Sequence, residues 1–254
     1  MPSRPSRHDP FPKPPRTLRR MMPILLALLL AGCVSAAAGR FADSLSAAIL
    51  NNDDLETVEA GGPAYLLMVD GLLREDTENA SLLRSAGALY TAYAGLYVTD
   101  PARKRRLTDK ALAYAQEALC TQNRRGCGLR GAEFDAFRET IGELGRAEVP
   151  ALYTLGAAWA AWIEARQEDW NAVAEISRVE ALMTRVVALN ERYQDGGAHL
   201  YLGILATLVP PSLGGNPEAA RRHFERVITL SRGRNLTRSE ERRVGKECRA
   251  RWSP

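Results

Sequence analysis

A hydrophobic repeat of about 3.6 residues, the period of an α-helix, constrains the fold of this chain more than any other feature. Leu82, Leu89 and Leu96 recur on one face of such a segment, with Ala86 and Tyr93 between them. After residue 33, no stretch alternates polar and apolar side chains as a half-buried strand does. The sequence therefore predicts an all-α fold.

Capping residues divide this repeat into separate helices. Asp100 is a favourable N-cap and Pro101 suits the first helical position, so we expect one helix to end before them and another to begin there. Asn216 and Pro217 mark the start of the last clear helix in the same way. Further helices are predicted at 107–119, 134–144, 150–162, 179–189 and 198–209.

Short connections between the helices predict antiparallel pairs, with 63–75 packed on 78–98 and 196–209 packed on 217–231. The surroundings of Gly156 and Gly203 are similar to degenerate tetratricopeptide-type helix pairs, which stack into a short α-solenoid with a concave face. Glycine inside a helix costs about 1 kcal/mol relative to alanine, so small residues there predict close helix packing. They are Gly87, Gly95, Gly156, Ala157, Ala160 and Gly203.

Residues 1–32 are predicted to be a lipoprotein signal peptide. A basic stretch that includes Arg19 and Arg20 precedes an apolar run at 24–30, which is too short to span a bilayer. The Leu-Ala-Gly-Cys sequence that ends at Cys33 resembles the bacterial lipobox, in which the cysteine is diacylated and becomes the first mature residue. The alternative is an ordinary signal peptide that happens to contain a cysteine.

Two acyl chains would anchor the protein stably to a membrane through diacylglyceryl Cys33. Val34 follows this cysteine, in place of the aspartate associated with inner-membrane retention in enterobacteria. We therefore expect the periplasmic face of the outer membrane, ahead of the inner membrane.

Residues 238–254 are expected to be foreign to the natural protein. Back-translated, RSEERRVGKEC at 238–248 fits a common sequencing adapter read in frame, and the alternative is a basic, solvated tail. Of the 34 basic and 30 acidic residues of the chain, residues 33–237 hold 22 and 26, so the net charge of +4 becomes −4. This charge gives no support to nucleic-acid binding, and 33–237 is long enough for one helical domain.

Cys120 and Cys127 lie in a predicted loop over 120–131, where they either form a disulfide or remain two free thiols. An oxidising compartment favours the disulfide. Their spacing is not one that zinc sites use. Gly126, Gly128 and Gly131 match the letters of a dinucleotide-binding fingerprint, but they follow a helix and not a strand. We interpret that segment as a loop.

The chain lacks the common motifs of hydrolases, metalloproteases and nucleotide-binding enzymes, so we predict no enzyme, no metal and no cofactor. His199 is interpreted as a core or cleft histidine, because no nucleophile partner is evident. Five side chains near helix ends are candidates for binding a small ligand on a concave face, although capping and packing explain each one singly. They are Trp170, Asn171, Arg178, His199 and Tyr201.

Several spaced blocks carry a resemblance to a known family. They are NDDLETVEAGGPAY at 52–65, DWN at 169–171, RVE at 178–180, GGAHLYLG at 196–203, LGGNPE at 213–218 and GRNL at 233–236. Over about 41–236 the chain resembles the T-component (TatT) family of TRAP transporters.

The resemblance implies a periplasmic lipoprotein of tetratricopeptide-like helices that forms a homotrimer with a central pore and clefts beside it. It also implies a partner, the TRAP periplasmic solute-binding protein, and a hydrophobic or organic-acid ligand. The leading hypothesis is thus a non-enzymatic accessory protein for TRAP-type solute uptake. The alternatives are a helical-repeat scaffold that recruits envelope proteins without a ligand, and an enzyme built on His199.

Overall fold

A computed structural model gives the structure of residues 54–208 and 215–232, together with the isolated residues 44, 48 and 52. The predicted signal peptide, Cys33 and the segment 238–254 lie outside the described residues. Across these ranges the chain forms helices and no strand, which confirms the all-α prediction for them. The helices are α1 (Leu55–Glu75), α2 (Ala80–Tyr97), α3 (Pro101–Gln122), α4 (Phe134–Glu143), α5 (Val149–Glu164), α6 (Trp170–Ala174), α7 (Ile176–Asn190), α8 (Gly197–Leu205) and α9 (Pro217–Leu230).

Side-chain caps set the starts of several helices. The Asp100 carboxylate accepts a hydrogen bond from the backbone N–H of Arg103, and the Asn216 side chain accepts one from Ala219. Asn79 caps α2 in the same way. Each cap satisfies a backbone donor that the first helical turn leaves unpaired. The predicted starts at Asp100 and Asn216 are confirmed.

Two predicted boundaries were wrong. Helix α1 begins at Leu55, well before the predicted start at residue 63, because Asp54 caps it and the buried stripe of Val58 and Gly62 already packs on the neighbouring helix. Pro63 therefore lies inside α1, where it gives up one helical hydrogen bond. Helix α8 ends at Leu205 and not at residue 209.

Consecutive long helices pack in antiparallel fashion. Near the turn between α2 and α3 the Arg103 guanidinium lies over the Tyr93 ring, and farther from it Gly87 faces Ala115. The predicted pairs α1 with α2 and α8 with α9 also pack on each other. Beyond these pairs, α3 packs on α5, α5 on α7 and α7 on α8, so the packing order largely follows the chain order.

Glycine allows close helix approach at most of the predicted positions. A Cβ on Gly87 would lie 3.3 Å from the backbone oxygen of Ala111, and one on Gly203 would lie 2.6 Å from the Phe224 ring. Gly156 faces Met183 just as closely. The prediction is wrong for Gly95, which faces open space on the exposed side of α2.

The central core forms around α5, which packs on α3 and on α7. Trp159 of α5 is fully buried, and its ring contacts Phe137 of α4 edge-on, with centroids 6.1 Å apart. Its indole N–H donates to the Glu175 carboxylate at 2.5 Å. Within the described ranges, no helix combines the length and apolar character that a bilayer crossing requires.

The segment after α3 is a loop of two short 3-10 turns, Arg124–Gly126 and Leu129–Gly131, as interpreted from the sequence. Cys120 and Cys127 are joined in a disulfide across it. Gly128 adopts a φ of 72°, a left-handed conformation that glycine tolerates best. The glycines of the fingerprint-like sequence therefore shape a turn between helices.

Candidate functional site

Three tyrosines come together between α5 and α8, and we call them the tyrosine cluster: Tyr153, Tyr193 and Tyr201. The Tyr153 ring meets the Tyr193 ring at 5.3 Å and the Tyr201 ring at 5.9 Å, both edge-on. All three side chains are half-buried, so each keeps part of its surface open to solvent. The cluster joins an aromatic surface to three polar hydroxyl groups.

A tight turn before α8 brings Tyr193 into this cluster. Gln194 and Asp195 have φ values of 51° and 53°, and Gly196 has 84°, so the chain reverses over three left-handed residues. A Cβ on Gly197 would lie 2.5 Å from the Tyr153 hydroxyl. Glycine at the start of α8 therefore lets Tyr153 lie against the backbone.

The hydroxyls of Tyr153 and Tyr201 stay protonated at neutral pH. Burial raises the pKa of Tyr153 well above its usual value, and electrostatic interaction with Tyr201 and Tyr193 adds to the effect. Burial, with a smaller contribution from the Glu164 carboxylate, raises the pKa of Tyr201 to about 12. No described residue accepts a hydrogen bond from these hydroxyls, so the cluster offers neutral donors to an acceptor on a bound molecule.

His199, although two residues from Tyr201 on α8, belongs to a different group. It is 7% exposed, and its Nδ1 lies 2.8 Å from Nδ1 of His223 on α9. Its Nε2 lies 3.1 Å from the Glu191 carboxylate at the end of α7, and the Arg226 guanidinium holds both oxygens of that carboxylate at 2.6 Å. The structure thus places His199 among packed partners, as a core histidine would be.

The other predicted ligand residues lie elsewhere. Trp170 is 84% exposed and Asn171 is also exposed, both in the first turn of α6. Arg178 of α7 donates to the backbone oxygen of Ala132 at 2.6 Å, and its guanidinium lies over the Phe137 ring. The five predicted residues therefore occupy four separate environments, and Tyr201 is the one in the tyrosine cluster.

A polar cluster that the sequence analysis missed joins α1, α2 and α3. The Asp70 carboxylate accepts hydrogen bonds from the hydroxyls of Tyr90 and Tyr114, each at 2.8 Å, and pairs with the Lys110 ammonium. The signal available in the sequence was a carboxylate next to the buried stripe of α1. Its partners lie 20 to 44 residues away, which no local pattern reveals.

A second missed cluster surrounds Trp162. Its indole ring lies between the guanidiniums of Arg130 and Arg166, at 4.2 and 4.5 Å from the ring centroid. Its N–H donates to the Asp109 carboxylate at 2.8 Å, and Arg166 pairs with the same carboxylate. These stacked contacts tie the disulfide loop and the end of α5 to α3.

The part of the chain that the structure describes holds no group of three His, Cys, Asp or Glu side chains placed to bind a metal ion. The comparison with known families is more informative. A family model described as TRAP transporter T-component matches residues 51–240. The chain belongs to this family. The match confirms the resemblance drawn from the spaced blocks, and it covers all the helices described above.

Membership in this family supports an accessory role in TRAP transport. A search of curated protein sequences gives no match to this chain.

Proposed function

We propose that this protein is a lipid-anchored accessory protein of TRAP-type solute uptake that docks a periplasmic solute-binding protein and binds or passes a small organic ligand. Family membership supports the transport role. The tyrosine cluster supports the ligand, because an aromatic surface with free hydroxyl donors is typical of small-molecule sites. In this proposal the helix pairs stack as a short tetratricopeptide-like solenoid, and three copies assemble as a trimer.

The tyrosine cluster fits a ligand with an apolar body and at least one hydrogen-bond acceptor. The rings would contact the apolar part, and the hydroxyls of Tyr153 and Tyr201 would donate to a carboxylate or carbonyl oxygen. The nearby Glu164 carboxylate is paired with the Lys104 ammonium at 2.8 Å, which reduces its repulsion of an acidic ligand. A hydrophobic organic acid satisfies these requirements.

The first test is affinity capture from the cell envelope, with the genomic gene tagged at its C-terminus and the captured proteins identified by mass spectrometry. We expect a TRAP periplasmic solute-binding protein to be enriched over a capture with an untagged strain. Recovery of unrelated envelope proteins, or of none, would contradict the proposal and favour a helical scaffold without a ligand.

The second test uses the ligand of the solute-binding protein that such a capture identifies. Tyr201→Phe removes one hydroxyl donor and keeps the ring, so we expect its affinity to fall about fivefold, the effect of one hydrogen bond of about 1 kcal/mol. Isothermal titration calorimetry measures the change. Tyr65→Phe on α1 is the matched control and should bind as the wild type does. Equal affinity of Tyr201→Phe and wild type would remove the tyrosine cluster from the proposal.

The anchor is tested separately. Cys33→Ser removes the thiol that would be acylated, so we expect the protein to move from the membrane fraction to the soluble periplasmic fraction. Fractionation followed by immunoblotting measures this. If the variant stayed in the membrane fraction, the lipid anchor would be ruled out.

A further inference from the structure

One hydrogen-bonded chain of four side chains connects three consecutive helices: His199, His223, Glu191 and Arg226. We call its two imidazoles, His199 and His223, the histidine pair. Arg226 of α9 donates to Glu191, the residue directly after α7. Glu191 contacts His199 of α8, and His199 contacts His223 of α9. The two imidazole rings lie 5.1 Å apart between centroids, inclined by 37°. Two of the four members thus belong to α9.

The contacts fix where protons reside. Hydrogen bonds from Arg226 and His199 lower the pKa of Glu191 to about 2, so the carboxylate is ionised and only accepts. Nε2 of His199 must therefore carry hydrogen and donate to it. At 2.8 Å, the two Nδ1 atoms of His199 and His223 then share one hydrogen between them, with one ring donating and the other accepting.

This arrangement accommodates one added proton and no more. A single imidazolium on either ring keeps the Nδ1 contact, because the other ring still has a free Nδ1 lone pair. A second proton would place two N–H groups and two positive charges against each other at 2.8 Å, so the hydrogen bond between His199 and His223 must break.

The charges around the pair oppose that second proton. Glu191 from α7 is already held by Arg226, and Arg222 and Arg226 add positive charge from α9. Burial, with contributions from His199 and Arg222, lowers the pKa of His223 below its usual value. Solvent can reach the half-buried His223 once α9 moves away from α8.

We propose that the histidine pair is a proton-sensitive latch that holds α9 against α8 at neutral pH and releases it on acidification. Apart from the latch, α9 packs through its buried Ala220, Val227 and Leu230, and Phe224 lies over Gly203. Its outer face is largely charged and exposed.

The direction of the pH effect follows from linkage. A histidine whose pKa is lowered when α9 packs on α8 binds fewer protons in the packed state, so packing of α9 is favoured at high pH. This contribution is lost as the pH falls from the ordinary histidine pKa of about 6.5 through the lower pKa of the packed state. Acidification therefore opens α9.

Hydrogen exchange with mass spectrometry on the full chain tests the latch, with rates corrected for the intrinsic pH dependence of exchange. We expect protection of the α9 amides, relative to those of α5, to fall roughly threefold or more from about pH 7.5 to about pH 5. His223→Asn keeps a side-chain donor near the position of Nδ1 but does not titrate, so its α9 protection should not change over this range. Arg221→Gln, an exposed substitution on the same helix, should behave as the wild type does.

Unchanged wild-type protection of α9, or the same pH dependence in His223→Asn, would overturn the proposal. If His223→Asn does not fold, NMR of the wild-type imidazole nitrogens decides the question. Two separated titration steps, with the lower one coinciding with loss of α9 protection, support the latch. Independent titration of the two rings contradicts it.

Discussion

Trp159→Ala is expected to lower the free energy of unfolding by about 4 kcal/mol, because it truncates the largest of the fully buried side chains in the described ranges. The indole is fully buried on the central helix α5, so its removal leaves a cavity that rigid helices cannot fill by small shifts. The edge-on contact with Phe137 is lost, and the Glu175 carboxylate loses its indole donor. Equilibrium urea denaturation followed by circular dichroism measures the change.

Trp170→Ala is the matched control. Its side chain is 84% exposed, so the same truncation should change the free energy of unfolding by less than about 0.5 kcal/mol. A comparable loss in Trp159→Ala and Trp170→Ala would mean that the core is not centred on Trp159. Trp170 is also a predicted ligand residue. If Trp170→Ala leaves stability unchanged, any loss of ligand binding in this variant cannot be attributed to unfolding.

Asp70→Asn is expected to lower the free energy of unfolding by about 1–2 kcal/mol near neutral pH. The Asp70 side chain is 16% exposed and accepts from Tyr90 and Tyr114 while it pairs with Lys110. An amide in its place leaves the partly exposed Lys110 ammonium without its counter-charge and removes one acceptor. Denaturation in urea is again the measurement.

The effect of Asp70→Asn should depend on pH in a defined direction. Burial alone would raise the pKa of Asp70, but hydrogen bonds from Lys110, Tyr90 and Tyr114 outweigh it and hold the pKa below 3.8. A lowered carboxyl pKa stabilises the fold above the unfolded pKa, and this stabilisation is lost as the pH falls through the folded pKa. The difference between wild type and Asp70→Asn should therefore shrink below about pH 4.

Glu117→Gln provides the control for this prediction, because Glu117 is exposed on the same helix as Lys110. It should leave stability unchanged within about 0.5 kcal/mol at all of these pH values. A difference between wild type and Asp70→Asn that stays constant down to acidic pH would show that the carboxylate is not ionised in the polar cluster.

Much of the helical architecture could be predicted because its causes are local. The caps at Asp100 and Asn216 and the period of the apolar stripes depend on residues within a few positions of each other. The start of α1 was missed because Pro63 is a favourable first helical residue, and the sequence alone does not show that Val58 and Gly62 pack on α2. The prediction for Gly95 failed because close packing depends on the neighbouring helix.

The candidate site was less predictable because its members come from distant parts of the chain. Tyr201 was identified, but Tyr153 and Tyr193 reach it from α5 and from a left-handed turn. His199 was interpreted as a core or cleft histidine, yet its partner His223 lies 24 residues farther along. Each of these contacts is decided by how helices pack, and local patterns carry little information on that.

The near match between packing order and chain order has a consequence for cooperativity. Because α9 packs mainly on α8, its buried side chains (Ala220, Val227 and Leu230) lie outside the hydrophobic core that contains Trp159, whereas Leu66, Val69 and Leu73 of α1 belong to that core. The effect of a substitution in α9 should therefore stay local, and α9 should unfold in a stage separate from the core. Spectroscopic signals from Trp159 and from α9 would then report two different midpoints for one chain.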